Sequence, residues 1–347
     1  MKKLRWGVIG AGGIADRRTI PGMMQCDNAE LVAVMEINET LAEKSRIKWN
    51  CRRAYTNEAE LLSDSEIDAV YIASPVALHA QQAMDAADAG KHILIEKPLA
   101  MSSVEGQRVI DYCTVKGVRI AVGFMMRFGS YVQAMKKAIA EGKIGRPVSG
   151  YAQFTCWYPD IPGAWRQRKK ASGGGALMDM GVHCIDLLQY ILGTRVKQVA
   201  AFHDTLSFRY EVEDSSTLLL RMESGVQCVV QSNFNIPDEA AKWRIELFGD
   251  RGRLLGNDVI GQVDGGTMDA VYMGKHTEYD ARQDKKVVVG ENVTVAFGNL
   301  YAREISSFSN SILNNLPLEV PATDAVYVQR IIEAAYRSNE TNTIVNL

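Results

Sequence analysis

The sequence contains no run approaching the ~18 consecutive apolar residues that a helical membrane span needs, so no membrane partner is expected. It also lacks a charge imbalance. Lys and Arg number 39 against 41 Asp and Glu, for a net charge of −2, which argues against nucleic acid or an anionic surface as the main partner. Cysteines are few and scattered: Cys26, Cys51, Cys113, Cys156, Cys184 and Cys228 include no Cys-x-x-Cys pair. That disfavours a zinc site and a disulfide framework, and points to reduced, mostly buried thiols; no metal is expected. The basic start Met1-Lys2-Lys3-Leu4-Arg5 is followed by only a short apolar stretch. Gly10, Gly12 and Gly13 interrupt it and no small-residue cleavage site follows, so the protein is read as cytoplasmic. Neither an internal repeat nor a low-complexity linker occurs. What is present is 347 residues, enough for two domains at ~150 residues each.

The first ~120 residues alternate short apolar strands with helices. Residues 4–9, 30–37, 69–73, 92–95 and 119–122 read as five strands, and residues up to 26, then 41–49, 78–89 and 103–116, read as helices. This alternation predicts a doubly wound parallel sheet covered on both faces. The pattern changes near residues 123–127. Beyond it lie long strands, several alternating polar and apolar residues: 148–157, 196–208, 215–222, 226–234 and 243–248. Glu223-Ser224-Gly225 marks a tight hairpin. Helices are expected at 180–192, 300–315 and 324–338. The fold class is therefore α/β, with a Rossmann domain at 1–123 and an α/β domain at 124–347 built on an open, mostly antiparallel sheet.

Gly10-Ala-Gly12-Gly13-Ile14-Ala15 follows the first strand and opens the first helix. It fits G-x-G-x-x-A, whose positions supply a tight turn, a close approach of backbone to pyrophosphate, and close helix packing. The pyrophosphate would rest on the helix N-terminus. Glu36, at the end of the second strand, can bind both ribose hydroxyls and would repel a 2′-phosphate. NAD is therefore the expected cofactor, while Arg17 and Arg18 leave NADP open. Ser74-Pro75 lies at the carboxyl edge where such sheets bind ligands, with His79 one turn later.

Glu96-Lys97-Pro98 follows the fourth of these strands at that same edge. A lysine there can take the proton of an alcohol and polarise a carbonyl, if burial lowers its pKa. A second constellation is Gly173-Gly174-Gly175 followed by Asp179, His183 and Asp186. Asp179 and His183 are four apart, so one helix face can present both. The carboxylate would orient the ring or support an imidazolium. The glycines let the backbone pass close to a neighbour such as cofactor or substrate. Trp165-Arg166 and Arg127 are candidates for contacts to the cofactor, and Tyr158 and Tyr301 for contacts to a hydroxylated ligand. Each of these also has a packing reading, because arginines and tyrosines commonly sit at domain seams.

These pieces, in this order, resemble the glucose–fructose oxidoreductase, inositol dehydrogenase and MocA-like (Gfo/Idh/MocA) family. The match rests on Gly7-Val-Ile-Gly10-Ala-Gly12-Gly13-Ile14, Ser74-Pro75 with His79, Glu96-Lys97-Pro98, and Gly174-Gly175 with Asp179-x-Gly181-x-His183-x-x-Asp186. The resemblance implies hydride transfer between NAD(P) and a secondary hydroxyl or keto carbon of a small carbohydrate or polyol, with the substrate between the domains. It places Lys97, Asp179 and His183 at C4 of the nicotinamide, with Lys97 or His183 as proton carrier. It further implies a cis peptide bond before Pro98 and a homo-oligomer, dimer or tetramer, formed through the free face of the C-terminal sheet. Met125-Met126 departs from many relatives, which carry a polar residue or histidine there. Two other roles exist among proteins of this kind: a cofactor-bound sensor, and a glycosidase that uses transient oxidation by bound NAD.

Overall fold

The computed structural model describes residues 2–273, 281–282 and 290–347. By contacts the chain divides into two units, Met1–Met125 with Asn299–Arg330, and Met126–Gly298 with Ile331–Leu347. The strands of the first unit are β1 (Leu4–Ile9), β2 (Ala29–Met35), β3 (Arg53–Tyr55), β4 (Ala69–Ile72), β5 (His92–Ile95) and β6 (Ile120–Val122). They form one sheet in the order β3-β2-β1-β4-β5-β6, parallel throughout. This is the order of a doubly wound dinucleotide-binding sheet, which reverses direction between β1 and β4.

Burial on both faces explains the continuous apolar runs. Trp6, Val8, Tyr71 and Ile93 are all fully buried. The helices α1 (Ile20–Met23), α2 (Glu39–Trp49), α3 (Glu58–Ser63), α4 (Val76–Asp88) and α5 (Ser103–Val115) link the strands. Asn38, Asn57 and Ser102 start α2, α3 and α5 by accepting the main-chain N–H of Leu41, Ala59 and Glu105. Ahead of α1 the fingerprint opens into a π-helical turn, Ala15–Thr19, instead of a plain α-helix. The sheet has six strands where five were expected. β3 escaped because its three residues are all half-buried and form no apolar run.

The second unit contains α6 (Ser130–Ala140), β7 (Pro147–Thr155), α7 (Lys169–Ser172), α8 (Val182–Leu192), β8 (Val196–Asp204), β9 (Ser215–Met222), β10 (Gln227–Asn233), β11 (Arg244–Gly249), β12 (Gly252–Asn257), β13 (Thr267–Tyr272) and β14 (Glu291–Asn292). Helix α9 (Leu300–Leu313) returns to the first unit, and its Phe308 and Ser309 meet Trp6. The last elements are α10 (Ala322–Thr341) and β15 (Val345–Asn346).

Among the described residues, β7–β15 form a nine-stranded sheet ordered β14-β13-β12-β11-β7-β10-β9-β8-β15. All its pairs are antiparallel except β7 with β10. The expected hairpin joins β9 to β10 through Gly225 at φ 90°. Along β9, Ser216, Leu218, Leu220 and Met222 are buried while Leu219 and Arg221 are exposed, so one face is covered and the other open. Helix α8 lies on the covered face. A Cβ on Gly150 of β7 would sit 3.3 Å from Leu188 of α8 and 2.9 Å from Cys228 of β10. Five cysteines are buried and Cys156 half-buried, all as free thiols. Among the described residues no helix is long and apolar enough to cross a membrane.

Candidate active site

In the first unit the expected cofactor residues fall side by side. Because the sheet is parallel, the carboxyl ends of β2, β1, β4 and β5 share one edge in that order. Glu36 follows β2, Gly10 follows β1, Ser74 follows β4, and Glu96-Lys97 follows β5. Three strand spacings of ~4.8 Å separate the Glu36 and Lys97 positions by about 14 Å. Gly10 is required by the turn: its φ is +81°, and a Cβ there would lie 2.9 Å from the main chain of Ala73 and Ser74. Gly12 and Gly13 are exposed, with Ile14 half-buried behind them. Gly12, Gly13 and Glu36, with Arg17, Lys44 and Lys48, line a cavity of about 260 Å³. Its open glycine floor and flanking carboxylate fit a dinucleotide's pyrophosphate and ribose. Lys44 and Lys48 come from α2 and carried no motif in the sequence. Lys48 is held by Asp16 at 2.8 Å.

The loops after β4 and β5 are tied together by His79. Its ring is buried, Nε2 lies 2.9 Å from the Ser74 carbonyl oxygen, and Nδ1 lies 2.8 Å from that of Pro98. Burial pushes this imidazole's pKa down and outweighs the two carbonyls, which pull it up. Pro75 starts α4, and the Ser74 hydroxyl donates to Gln82. The peptide bond before Pro98 is cis. Lys97 is half-buried, and its main-chain N–H donates to the Glu96 carboxylate at 3.3 Å. The other Glu96 oxygen accepts from the Tyr71 hydroxyl, which in turn accepts from Thr19 at 2.9 Å. Tyr301 is only 2 % exposed, inside this unit on α9. Burial pushes its phenol well up, and the Glu96 and Glu304 carboxylates add to the shift.

In the second unit Asp179 lies in a π-helical turn, Leu177–Gly181, that leads into α8. Its half-buried carboxylate faces Arg166 Nε at 3.7 Å, and the Arg166 guanidinium stacks over Trp165 at 4.4 Å. Tyr158 joins the same group. Burial raises its phenol pKa, Arg166 opposes the shift, and Asp179 adds to it. Four expected residues, Tyr158, Trp165, Arg166 and Asp179, are thus brought together. His183 is buried one turn on, edge-on to Phe154 at 6.2 Å.

Arg127 is held elsewhere in this unit. It is buried against Asp186, with Nε 3.0 Å and Nη2 2.5 Å from the carboxylate, and its guanidinium lies over Tyr190 at 4.8 Å. The glycine triplet has a protein neighbour. A Cβ on Gly174 would lie 1.9 Å from the Tyr336 hydroxyl, and one on Gly175 would lie 2.0 Å from the Glu213 carbonyl oxygen. Glu213 and Tyr336 carried no signal in the sequence, since they reach this segment from 38 residues beyond Gly175 and from α10.

A family model described as an oxidoreductase family with an NAD-binding Rossmann fold matches residues 4–124, and one for the GFO/IDH/MocA C-terminal domain matches residues 132–255. The chain belongs to the Gfo/Idh/MocA family of NAD(P)-binding oxidoreductases. It is 31% identical to 1,5-anhydro-D-fructose reductase of Ensifer adhaerens over 76% of this chain and 79% of that protein. It is 30% identical to D-xylose 1-dehydrogenase (NADP(+)) 2 of Haloferax volcanii over 99% of this chain and 100% of that one. The fold matches that of aldose-aldose oxidoreductase from Caulobacter crescentus complexed with glycerol, at a TM-score of 0.89 and 23% identity over the whole of both chains.

Proposed function

We propose that this family member oxidises or reduces a secondary hydroxyl or keto carbon of a sugar, anhydrosugar or inositol-like substrate. The observation that carries the reading is the order of groups along the parallel sheet's edge. Ribose acid, glycine turn and Lys97 lie in the sequence that a dinucleotide would occupy from adenosine to nicotinamide. The names of the two relatives support a carbohydrate substrate. Residues 1–123 are read as the cofactor domain and residues 124–347 as the substrate domain.

Gly10, Gly12, Gly13 and Ile14 would receive the pyrophosphate, and Glu36 the adenosine ribose. Ser74, Pro75, His79 and Glu96 would shape the edge beyond them. When bound, the nicotinamide accepts or supplies the hydride. Lys97 or His183 holds the proton that leaves or joins the substrate oxygen. Asp179 accepts a hydrogen bond from a substrate hydroxyl, Arg166 steadies its carboxylate, and Tyr158 is a further contact for the substrate. Glu36 favours NAD over NADP, because a carboxylate beside the ribose repels a 2′-phosphate. The molecule acts as a homo-oligomer built on the open face of its nine-stranded sheet.

The test is a screen of sugars, anhydrosugars, inositols and their keto forms with NAD(H) and NADP(H), followed by nicotinamide absorbance. No absorbance change across the panel would overturn the reading in favour of a cofactor-bound sensor. Glycoside cleavage without net reduction of NAD would favour a glycosidase with transient oxidation.

A further inference from the structure

The segment that carries Asp179 begins without a capping side chain of its own. Gly173 adopts φ +76°, and Ala176 ahead of the π-helical turn makes no side-chain cap. The first N–H groups of a helical turn have no partner within it and must find one elsewhere. Here they find Glu213, a buried residue just ahead of β9. Gly175 N–H and Leu177 N–H both donate to its Oε1 at 3.0 Å, and the Tyr336 hydroxyl donates to the same oxygen at 2.8 Å. Ala176 N–H donates to the Glu213 carbonyl, also at 3.0 Å.

Asp179 is one hydrogen bond further on, since its own N–H donates to the Gly175 carbonyl at 3.0 Å. The fit is tight enough that neither Gly174 nor Gly175 has room for a Cβ. The next residue fixes Glu213 in turn. The Asp214 carboxylate accepts the N–H groups of Leu206, Ser207 and Phe208 at 2.8–2.9 Å.

We propose that Glu213, steadied by Tyr336, is a positioning residue that sets the placement of the Asp179 carboxylate by anchoring the N–H groups of Gly175 and Leu177. This rests on the reading of Asp179 as a substrate-binding group. The role needs an acceptor oxygen at one place, not a negative charge, so an amide should serve nearly as well.

Three variants test it alongside Asp179→Asn. In Glu213→Ala, kcat should fall at least thirtyfold while the Kd for NAD, a ligand of the first unit, stays within twofold. Glu213→Gln should recover kcat to within about fivefold of the parent. Hydrogen exchange gives a readout apart from turnover: the amides of Gly175 and Leu177 should exchange at least tenfold faster in Glu213→Ala than in the parent or in Glu213→Gln. If Glu213→Ala does not fold, Tyr336→Phe is read instead, with a three- to tenfold loss of kcat expected.

Turnover within twofold of the parent in the variant read would overturn the proposal, as would unchanged exchange at both amides. So would equal losses in Glu213→Gln and Glu213→Ala, which would mean that charge and not placement matters. An Asp179→Asn variant with full activity would instead overturn the reading of Asp179 itself.

Discussion

Lys97 and Glu36 illustrate how single residues divide the proposed reaction between chemistry and recognition. Lys97 is half-buried at the end of β5 on a loop fixed by His79, so its removal should leave the glycine turn and the cavity beside Glu36 intact. Lys97→Met should leave the Kd for NAD within about twofold and cut kcat by about 10²- to 10⁴-fold, the range general acid–base groups supply. Steady-state rates within tenfold of the parent would remove Lys97 as proton carrier. Glu36 lines the cavity together with Arg17, Lys44 and Lys48; Asp16 holds Lys48, so Arg17 and Lys44 are the cations placed to greet a 2′-phosphate. Glu36→Ala deletes a charged acceptor worth about 1.5–3 kcal/mol. It should raise the KM for NAD by roughly tenfold or more, and kcat/KM with NADP should rise relative to NAD. Unchanged selectivity between the two cofactors would show that the cations, not Glu36, decide. Both residues were legible in the sequence because each follows a buried apolar strand. Glu213 was not, since its meaning depends on Gly175, Leu177 and Tyr336, which are distant in the chain.

At the scale of elements, legibility followed burial pattern. Strands β1, β5 and β9 occur where the sequence places them, because their apolar runs or alternation are complete. β12 was missed because glycine opens it at Gly252 and recurs at Gly256, which blurs the alternation. α6 was missed although Tyr131, Val132, Met135 and Ala138 form a buried helical stripe. Helix α8 depends on a buried ion pair, Asp186 with Arg127, that joins it to the turn Met125–Phe128. Removing one partner strands a charge in the interior, so Arg127→Met should cost about 3–5 kcal/mol in urea unfolding. Replacing both partners with apolar residues should restore much of that loss. A single-variant loss below about 1 kcal/mol would count against the pair as a tie between elements. Helix α9 brings the buried Glu304 carboxyl into the first unit. Burial, with a contribution from Glu96, holds its pKa well above the ordinary carboxylate range. The folded state therefore keeps a proton that the unfolded chain has released above about pH 4.5. Stability contributed by that proton falls as pH rises from there toward the raised value. Glu304→Gln should flatten the fall in Tm as pH rises above about 4.5, and an identical slope in both proteins would show that Glu304 does not contribute to it.

For the whole molecule, the open face of the nine-stranded sheet carries the remaining expectation. Register aligns Ala200, Leu219, Val229 and Tyr151 as neighbours across β8, β9, β10 and β7, on the face opposite α8. Leu219 is 56 % exposed, and Phe202, two residues beyond Ala200 on β8, is 69 % exposed. Contiguous apolar exposure on a sheet face marks an association surface, whereas singly scattered apolar residues need no explanation. A symmetric dimer would set this row against its own copy, so one substitution acts twice at each interface. Leu219→Arg would bring two guanidinium groups into such an interface without partners, a desolvation cost that a weakly polar patch cannot offset. Sedimentation velocity at micromolar concentration should show the parent as a dimer or tetramer and Leu219→Arg as a monomer. The proposed pyrophosphate and ribose groups, Gly12, Gly13 and Glu36, lie in the first unit of one chain and not in this sheet, so the variant should bind NAD with Kd within about twofold of the parent. A monomeric parent would leave this face without a partner copy. An oligomeric Leu219→Arg would move the interface off the row through Leu219.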